Sequence, residues 1–260
     1  MDKISNTEKK GKRIAITGKG GSGKTMLTAI LTGLLAKNDD LSVLSIDADS
    51  SINLPYTLGM EMKQTVAQIR QMIIEDPEGR AEMKEKSMTT VMTEALEQGN
   101  GFQFLAMGRP EGPGCFCSVN DLLRYGIDNL SKQFDITLID CEAGPEQVNR
   151  RVVNGVDDLI IVTDASLRGA RVAGAIMEVI QRDATVRPAR AGLVINRFNG
   201  DDALIVEHAT KWGLEIFGRI PDDRNITEYD AIGKPLIDLP ENSPSVTAVK
   251  EICGRILTQV

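Results

Sequence analysis

The sequence predicts an α/β fold in which a mostly parallel central sheet carries helices on both faces. Short apolar runs alternate along the chain with longer segments in which apolar residues recur at helical spacing. The runs are apolar throughout, which is typical of parallel strands that are covered on both faces. The first run also leads directly into a glycine-rich turn that opens a helix. Together these patterns favour a sheet buried between two layers of helices.

The strands are predicted where β-branched and large apolar residues cluster. The run RIAIT precedes the glycine-rich turn, and LSVLSI ends at an aspartate. The runs DITLI, DLIIVT and GLVIN follow further along the chain, and a short end strand comes after them. The predicted strands are 13–17, 41–46, 102–106, 135–139, 158–163, 192–196 and 215–217.

The helices are predicted from spacing and composition. The first begins at Lys24, because six apolar residues follow it at helical spacing: Met26, Leu27, Ile30, Leu31, Leu34 and Leu35. Segments 63–75 and 80–98 are rich in Met, Glu, Lys and Gln, which favour helix. An amphipathic helix is predicted over 120–132, with Leu123, Ile127 and Leu130 on one face. Further helices are predicted over 166–182, 203–211 and 245–259.

Length, charge and composition exclude several classes of function. The chain has 260 residues, with 30 Lys and Arg against 37 Asp and Glu, for a net charge of −7. A dedicated binder of nucleic acid or of anionic membranes would carry a basic excess, so we expect neither partner. There is no secretory signal or membrane-spanning apolar run, and four cysteines are too few for a disulfide scaffold. We expect a cytoplasmic protein with a flexible polar segment over 1–12 and a single domain over 13–260.

The phosphate-loop pattern G-x-x-x-x-G-K-[ST] is satisfied by residues 18–25, GKGGSGKT, between a predicted strand and a predicted helix. Glycines let backbone N–H groups and the helix N-terminus face an anion. Lys24 can reach the β- and γ-phosphates of a nucleotide, and the Thr25 hydroxyl can ligate Mg²⁺. ATP and Mg²⁺ are therefore the predicted cofactors. The predicted nucleotide-binding residues of this loop are Gly18, Lys19, Gly20, Gly21, Ser22, Gly23, Lys24, Thr25 and Met26.

A second lysine, Lys19, makes this loop resemble the deviant phosphate loop of the group that contains the nitrogenase iron protein, MinD and ParA. In that group the signature lysine contacts the nucleotide on the partner subunit. The resemblance implies a P-loop NTPase fold of the nitrogenase-iron-protein/MinD type and a homodimer. It also implies that Lys19 supplies positive charge to the nucleotide bound by the other subunit, as an arginine finger does. Lys19 and Lys24 are therefore predicted to be catalytic.

Aspartates follow two of the predicted strands. Asp47 and Asp49 come after the second strand, and Asp140 ends the run DITLID. The carboxyl ends of strands in an open α/β sheet face the ligand crevice. The family resemblance implies that Asp140 and Asp47 hold Mg²⁺ with Thr25, and that Asp49 is catalytic and positions the attacking water. Whether Asp47 or Asp49 orients that water stays open. Many relatives have proline where Ser50 stands here, and we expect ATP hydrolysis to survive this difference.

Two later loops resemble the adenine-holding elements of the same group. Asn196 follows a strand in VINRF, and Pro221 and Asp222 follow GRI. An asparagine at the end of a strand is also a common turn former. The resemblance implies that Asn196, Pro221 and Asp222 contact the base.

Cys115 and Cys117 form a C-x-C pair on the loop GRPEGPGCFC, between a strand and a helix. Tetrahedral metals take four donors, so one pair cannot complete a site. Two pairs joined across a twofold axis would supply four thiolates. Gly112, Pro113 and Gly114 favour an exposed loop, although two packed structural thiols or a redox disulfide are alternatives. We predict a metal shared between two subunits.

The loop GRPEGPGCFC, the first switch DADSSINLP and the second switch DCEAGPE together resemble the CooC-type nickel-insertion ATPases. The resemblance covers nearly the whole chain from Arg13 to the last helix. It implies an ATP-hydrolysing homodimer that holds Ni²⁺ or Zn²⁺ at the shared C-x-C site. The implied client is carbon monoxide dehydrogenase, or acetyl-CoA synthase, which a sister protein serves. The sequence does not separate these two clients.

Two alternative functions share most of these motifs. A nitrogenase-iron-protein-like electron donor would carry a second cluster cysteine shortly after the second-switch aspartate, but EAGPEQVNRR has none. Cys141 is expected to pack behind its strand, and an iron–sulfur site on the C-x-C pair stays open. The third interpretation is a MinD/ParA-type positioning ATPase. Its membrane version would want a basic amphipathic last helix, and here only Lys250 and Arg255 are basic, so we expect the apolar face of that helix to be core.

Overall fold

The structure is a computed structural model that describes residues 11–75, 86–109, 117–145, 154–183 and 187–258, with the backbone alone for 74, 75, 117 and 118. Eight strands of this described part form one sheet, in the order β3-β4-β2-β5-β1-β6-β7-β8. All neighbouring pairs are parallel except β3–β4. The predicted fold class is confirmed. The strands are β1 (Lys12–Gly18), β2 (Val43–Ala48), β3 (Glu97–Gln98), β4 (Gln103–Ala106), β5 (Ile136–Cys141), β6 (Asp158–Asp164), β7 (Arg190–Phe198) and β8 (Glu215–Pro221).

Helices cover both faces of the sheet, so each strand is buried on two sides. In β1, Ile14 and Ile16 join the core beneath α1 and α9, whereas Ala15 joins the core beneath α3 to α7. None of the described helices is long and apolar enough to cross a bilayer. The helices are α1 (Lys24–Leu35), α2 (Leu54–Thr57), α3 (Val66–Glu75), α4 (Met88–Glu94), α5 (Cys117–Leu130), α6 (Leu167–Arg182), α7 (Ala203–Lys211), α8 (Arg224–Ala231) and α9 (Pro244–Leu257), with 3₁₀ turns at Ser131–Gln133 and Leu236–Asp238.

The helix predicted over 80–98 is wrong at its end, and residues 80–85 lie outside the described ones. After α4 the chain turns back, and β3 pairs antiparallel with β4. Gly101 permits the turn, since its φ is +78° and a Cβ there would lie 2.3 Å from the carbonyl oxygen of Ala36. The carboxylate of Glu97 accepts the backbone N–H of Lys63 at 3.0 Å. A tertiary contact therefore overrides the helical composition of this segment.

Several predicted boundaries also differ from the structure by a few residues, and two of them have a clear cause. The helix predicted from residue 63 begins at Val66, because Thr65 and Gln68 form a reciprocal capping box. The last two residues of the flexible segment predicted over 1–12 belong to the folded part of the chain. Gly11 is buried and Lys12 opens β1, where its ammonium pairs with Asp158 at 2.9 Å. The remainder of that segment, residues 1–10, lies outside the described ones.

Candidate nucleotide-binding site

The phosphate loop joins the end of β1 to the start of α1, and its backbone requires glycine at two points. Gly18 has a φ of +141°, and a Cβ there would lie 2.0 Å from the carbonyl oxygen of Val162. Gly23 has a φ of +97°, and a Cβ there would lie 2.2 Å from the side-chain nitrogen of Asn196. These left-handed conformations strain other residues. The glycines thus fix the tight turn that the pattern predicted.

A cavity of about 480 Å³, here called the nucleotide crevice, lies beside this loop. Both switch segments and the two later loops contribute to its walls, which brings together residues far apart in sequence. The predicted residues that line it are Gly20, Gly21, Gly23, Lys24, Thr25, Met26, Asp49, Asn196, Pro221 and Asp222.

Two aspartates predicted to hold Mg²⁺ are buried next to each other at the ends of neighbouring strands. Asp47 of β2 and Asp140 of β5 are direct register partners. Asp140 accepts the Thr25 hydroxyl at 2.7 Å. Asp47 accepts the backbone N–H groups of Asp49 at 3.0 Å and Leu54 at 2.9 Å. Both carboxylates are therefore held by fixed donors, and Thr25 connects Asp140 to the crevice.

Burial makes this pair reluctant to ionise. It raises the pKa of Asp47 to about 8, and the charge of Asp140 adds to this rise. Burial also raises the pKa of Asp140 to about 7, against the hydroxyl of Thr25 and the ammonium of Lys24, which lower it. Two buried carboxylates on neighbouring strands favour a bound cation, and oxygen ligands beside a hydroxyl suit Mg²⁺. The donor set therefore fits the predicted metal.

Asp140→Asn is expected to flatten the pH dependence of stability in the protein without nucleotide or Mg²⁺. A carboxyl whose pKa is higher in the folded chain binds more protons there, so the free energy of unfolding falls as pH rises. The affected pH window begins at about 4, the ordinary pKa of an aspartate. It ends at the pKa values of the pair, about 7 for Asp140 and about 8 for Asp47.

Urea unfolding at two pH values within that window measures the effect. The wild type should lose stability on the order of 2 kcal/mol between about pH 5.5 and about pH 8. Asp140→Asn should lose less and be the more stable protein at the higher pH. Asp222→Asn, at an exposed aspartate, serves as the control and should follow the wild type. If the free energy of unfolding changed with pH equally in all three proteins, the expected cost of ionising the buried pair would be contradicted.

Lys19 does not line the nucleotide crevice of its own chain. Its ammonium instead lies 2.5 Å from a carboxylate oxygen of Asp164, at the end of β6. Burial acts to raise the pKa of Asp164, but hydrogen bonds from Lys19 and Ser166 outweigh it and hold that pKa below its ordinary value. Lys19 is thus a cation held by an ionised partner at the rim of the site. To reach a nucleotide on another subunit, it would have to leave Asp164.

Asn196 lines the crevice next to the phosphate loop, and its side chain is engaged with the protein. Its amide nitrogen donates to the carbonyl of Ser22 at 2.7 Å, and its oxygen accepts the N–H of Arg197 at 2.9 Å. Pro221 and Asp222 also line the crevice. Asn196 therefore fixes the phosphate loop, and the predicted base contact stays a prediction.

Sequence reasoning missed several residues of the crevice. Arg197 lines it with an exposed side chain and a φ of +53°, a strained value for a residue other than glycine. The short helices α2 and α8 also line it, but α8 buries none of its residues, so no apolar periodicity marked it. The sequence did contain a signal for Asp164, because this aspartate follows an apolar strand run as Asp140 does. The missed lining residues from α2 and α8 and their flanks are Asn53, Thr57, Asp223, Ile226, Thr227 and Asp230.

The predicted thiol pair falls only in part within the residues that the structure describes. Cys115 lies outside the described residues, and Cys117 is the first residue of α5, described by its backbone alone. Among the described residues, no group of three or more His, Cys, Asp or Glu could hold a metal ion. Cys141 is buried as predicted, and burial raises the pKa of its thiol. Cys253 is half-buried on α9.

Comparison with known proteins identifies the chain's relatives. The family described as "CobQ/CobB/MinD/ParA nucleotide binding domain" matches residues 14–236. An uncharacterized ATP-binding protein of Methanocaldococcus jannaschii is 40% identical over 251 residues, which cover 95% of this chain and 98% of that protein. The septum site-determining protein MinD of Bacillus subtilis is 29% identical, over 95% of this chain and 89% of its own. The carbon monoxide dehydrogenase accessory protein CooC of Rhodospirillum rubrum is also 29% identical, over 87% and 90%.

Solved structures agree on the fold. MinD in a MinC:MinD cell division complex of Aquifex aeolicus superposes with a TM-score of 0.72. The match covers 96% of this chain and 97% of that one. At 22% sequence identity, this likeness supports the fold alone.

Proposed function

Because the chain belongs to the CobQ/CobB/MinD/ParA nucleotide-binding family, we propose that it is an ATP-hydrolysing homodimer that handles nickel for carbon monoxide dehydrogenase or acetyl-CoA synthase. The observation that carries the proposal is the C-x-C pair of the sequence, whose second member, Cys117, is the first residue of α5. The 29% identity to a CooC protein supports it. In this proposal Ni²⁺ or Zn²⁺ is the cargo, bound by Cys115 and Cys117 of two subunits.

The position of β4 supports a link between nucleotide and cargo. β4 lies beside β2, and the N–H of Met107 donates to the carbonyl of Asp47 at 2.8 Å. The segment that leads to the thiols is thus bonded to the backbone of a proposed Mg²⁺ residue. Cys117 begins α5, where the positive end of the helix dipole favours negative charge such as a thiolate. A nucleotide-dependent shift of Asp47 would therefore also move Met107, and with it the segment that leads to the thiols.

The proposed hydrolysis assigns a task to each residue that the sequence predicted to be catalytic or to hold Mg²⁺. Lys24 and the N–H groups of the loop bind the phosphates, and Thr25, Asp47 and Asp140 hold Mg²⁺, which neutralises phosphate charge when bound. Asp49, which lines the crevice, orients the attacking water. Lys19 leaves Asp164 and adds its charge to the partner's nucleotide, so that hydrolysis requires the dimer.

Asp49→Asn is expected to lower the rate of hydrolysis far more than the affinity for ATP. The variant keeps the shape of the side chain but loses the charge that would orient water. Single-turnover hydrolysis should slow by about 100-fold, while the Kd for a non-hydrolysable ATP analogue changes by less than about threefold. A variant that hydrolyses ATP at the wild-type rate would remove Asp49 from the proposed mechanism.

Activation of a nickel-free client tests the proposed function. Apo carbon monoxide dehydrogenase and apo acetyl-CoA synthase are each incubated with limiting Ni²⁺, ATP and the protein. The proposal expects one client to gain activity faster than with Ni²⁺ alone. Cys253→Ser, which alters a thiol on α9, should act like the wild type, and Cys117→Ser should not. If neither client responds to the wild type beyond Ni²⁺ alone, the proposal fails.

A MinD-type positioning ATPase is the second candidate, favoured by the equal identity to MinD of Bacillus subtilis. Its membrane form needs an amphipathic helix whose apolar face is free. In α9 the apolar residues Val249, Ile252 and Ile256 are at most 1% exposed and pack in the core. Co-sedimentation with anionic lipid vesicles in the presence of ATP separates the two candidates, since nickel handling predicts no binding.

A further inference from the structure

A second cavity, here called the lateral groove, lies on the sheet face that carries α1. Its volume is about 750 Å³, larger than that of the nucleotide crevice. Four segments form its walls: the end of α1, the chain after α2, β3 with the turn that follows it, and the 3₁₀ turn at Leu236–Asp238. The lining residues fall within 33–37, 58–63, 97–102 and 235–238. None of them belongs to the nucleotide or metal machinery proposed above.

The lateral groove shares a wall with the nucleotide crevice. In and beside α2, Thr57 lines the crevice and the next two residues, Leu58 and Gly59, line the groove. In the 3₁₀ turn, Leu236 lines the crevice and Ile237 lines the groove. One short helix and one turn therefore separate the two cavities.

This shared wall is tightly packed and connected to a buried carboxylate. Gly59 has a φ of +67°, and a Cβ there would lie 2.9 Å from the Cγ of Pro235. The first residue of α2, Leu54, donates its N–H to the carboxylate of Asp47 at 2.9 Å. Closely packed elements move together rather than compress. A change at Asp47 on nucleotide binding would thus reach the groove through α2.

The chemistry of the groove suits a ligand with basic and apolar side chains. Met60 and Ile237 provide half-exposed apolar surface, and the buried side chains of Leu58 and Phe102 lie behind it in the wall. Both lysines of the groove have acidic partners, because Lys63 pairs with Glu97 and Lys37 with Glu241. Among the described residues, neither Glu61 nor Asp238 forms an ion pair through its exposed carboxylate, although Lys234 lies near enough to Asp238 to interact with its charge. The remaining charge of the groove is therefore negative.

The sheet edge adds a reason for an extended ligand. β3, which contributes Glu97 and Gln98 to the groove, is the outermost strand of the sheet. The outer side of an edge strand offers backbone groups to an added strand. We propose that the lateral groove binds an extended basic segment of a partner protein, with an affinity that depends on the bound nucleotide. The inference needs the nucleotide crevice but not the C-x-C metal site, so either can fail alone.

Peptide binding to the full-length protein tests the proposal. The probes are two fluorescein-labelled octapeptides of equal apolar content, one alternating Lys and Leu, the other Glu and Leu. Anisotropy is measured at about 0.15 M salt, which screens charges beyond about 8 Å. We expect the Lys–Leu peptide to bind about tenfold more tightly, and its Kd to differ about threefold between ADP and a non-hydrolysable ATP analogue.

Two charge reversals of exposed glutamates separate the groove from the overall net charge of −7. Glu61→Lys, in the groove, should weaken binding of the Lys–Leu peptide about fivefold. Glu251→Lys, on α9 beside the opposite edge strand β8, should leave it unchanged. Hydrogen exchange of the wild type should slow over 59–63 and 97–102 when the peptide is bound. Equal binding of both peptides, equal losses in both variants, or identical affinity with both nucleotides would overturn the proposal.

Discussion

Lys24→Ala is expected to reduce ATP turnover by at least about 100-fold, because a buried ammonium aimed at the phosphates would be lost. Lys24 is 8% exposed, and its ammonium lies 3.4 Å from the carbonyl of Lys19 within the phosphate loop. No other described lysine lines the nucleotide crevice. Phosphate release under saturating ATP measures the loss, and fluorescent ATP titration shows whether binding falls with it.

Lys211→Ala is the matched control for this variant. Lys211 is an exposed lysine of α7, paired with Glu207 at 2.8 Å, and lies on the helix layer opposite α1. Its removal should leave turnover within about twofold of the wild type, as expected for a surface ion pair. Wild-type turnover in Lys24→Ala would refute the assignment of the phosphate loop.

The double variant Cys115→Ser/Cys117→Ser is expected to lose the bound metal entirely. A serine hydroxyl is a far poorer ligand than a thiolate for Ni²⁺ or Zn²⁺, and a site shared across a dimer would lose all four donors. Metal-linked dimerisation should weaken with it, while ATP affinity stays unchanged. Elemental analysis after anaerobic desalting and sedimentation with and without metal make the two measurements.

Cys253→Ser controls for the removal of a thiol as such, because Cys253 lies half-buried on α9 beneath the other end of the sheet. It should retain the metal content of the wild type. The double variant at the C-x-C pair with full metal content would place the metal elsewhere and end the shared-thiolate account.

The parts of the fold that the sequence predicted have local causes. The apolar run of β1 and the glycines of the phosphate loop determine strand, turn and helix within a few residues of each other. The position of Asp140, one hydrogen bond from Thr25 of the crevice, could be predicted because strand ends converge in an α/β sheet. The same reasoning would have found Asp164.

The parts that the sequence did not predict depend on contacts between distant segments. β3 forms where Glu97 meets the backbone of Lys63, against a helical composition. The ion pair of Lys19 and Asp164 joins residues 145 positions apart. Arg197 adopts its strained backbone where Asn196 bonds both it and the phosphate loop. Such arrangements leave no periodic pattern in one sequence.

Anaerobic elemental analysis with a visible spectrum tests the central claim most directly, on protein purified with and without Ni²⁺ and ATP. The account predicts about one nickel or zinc per dimer, bound by four thiolates, and no iron–sulfur absorption. Stoichiometric iron and sulfide, with a broad absorption band at about 400 nm, would contradict it and favour a nucleotide-gated electron donor.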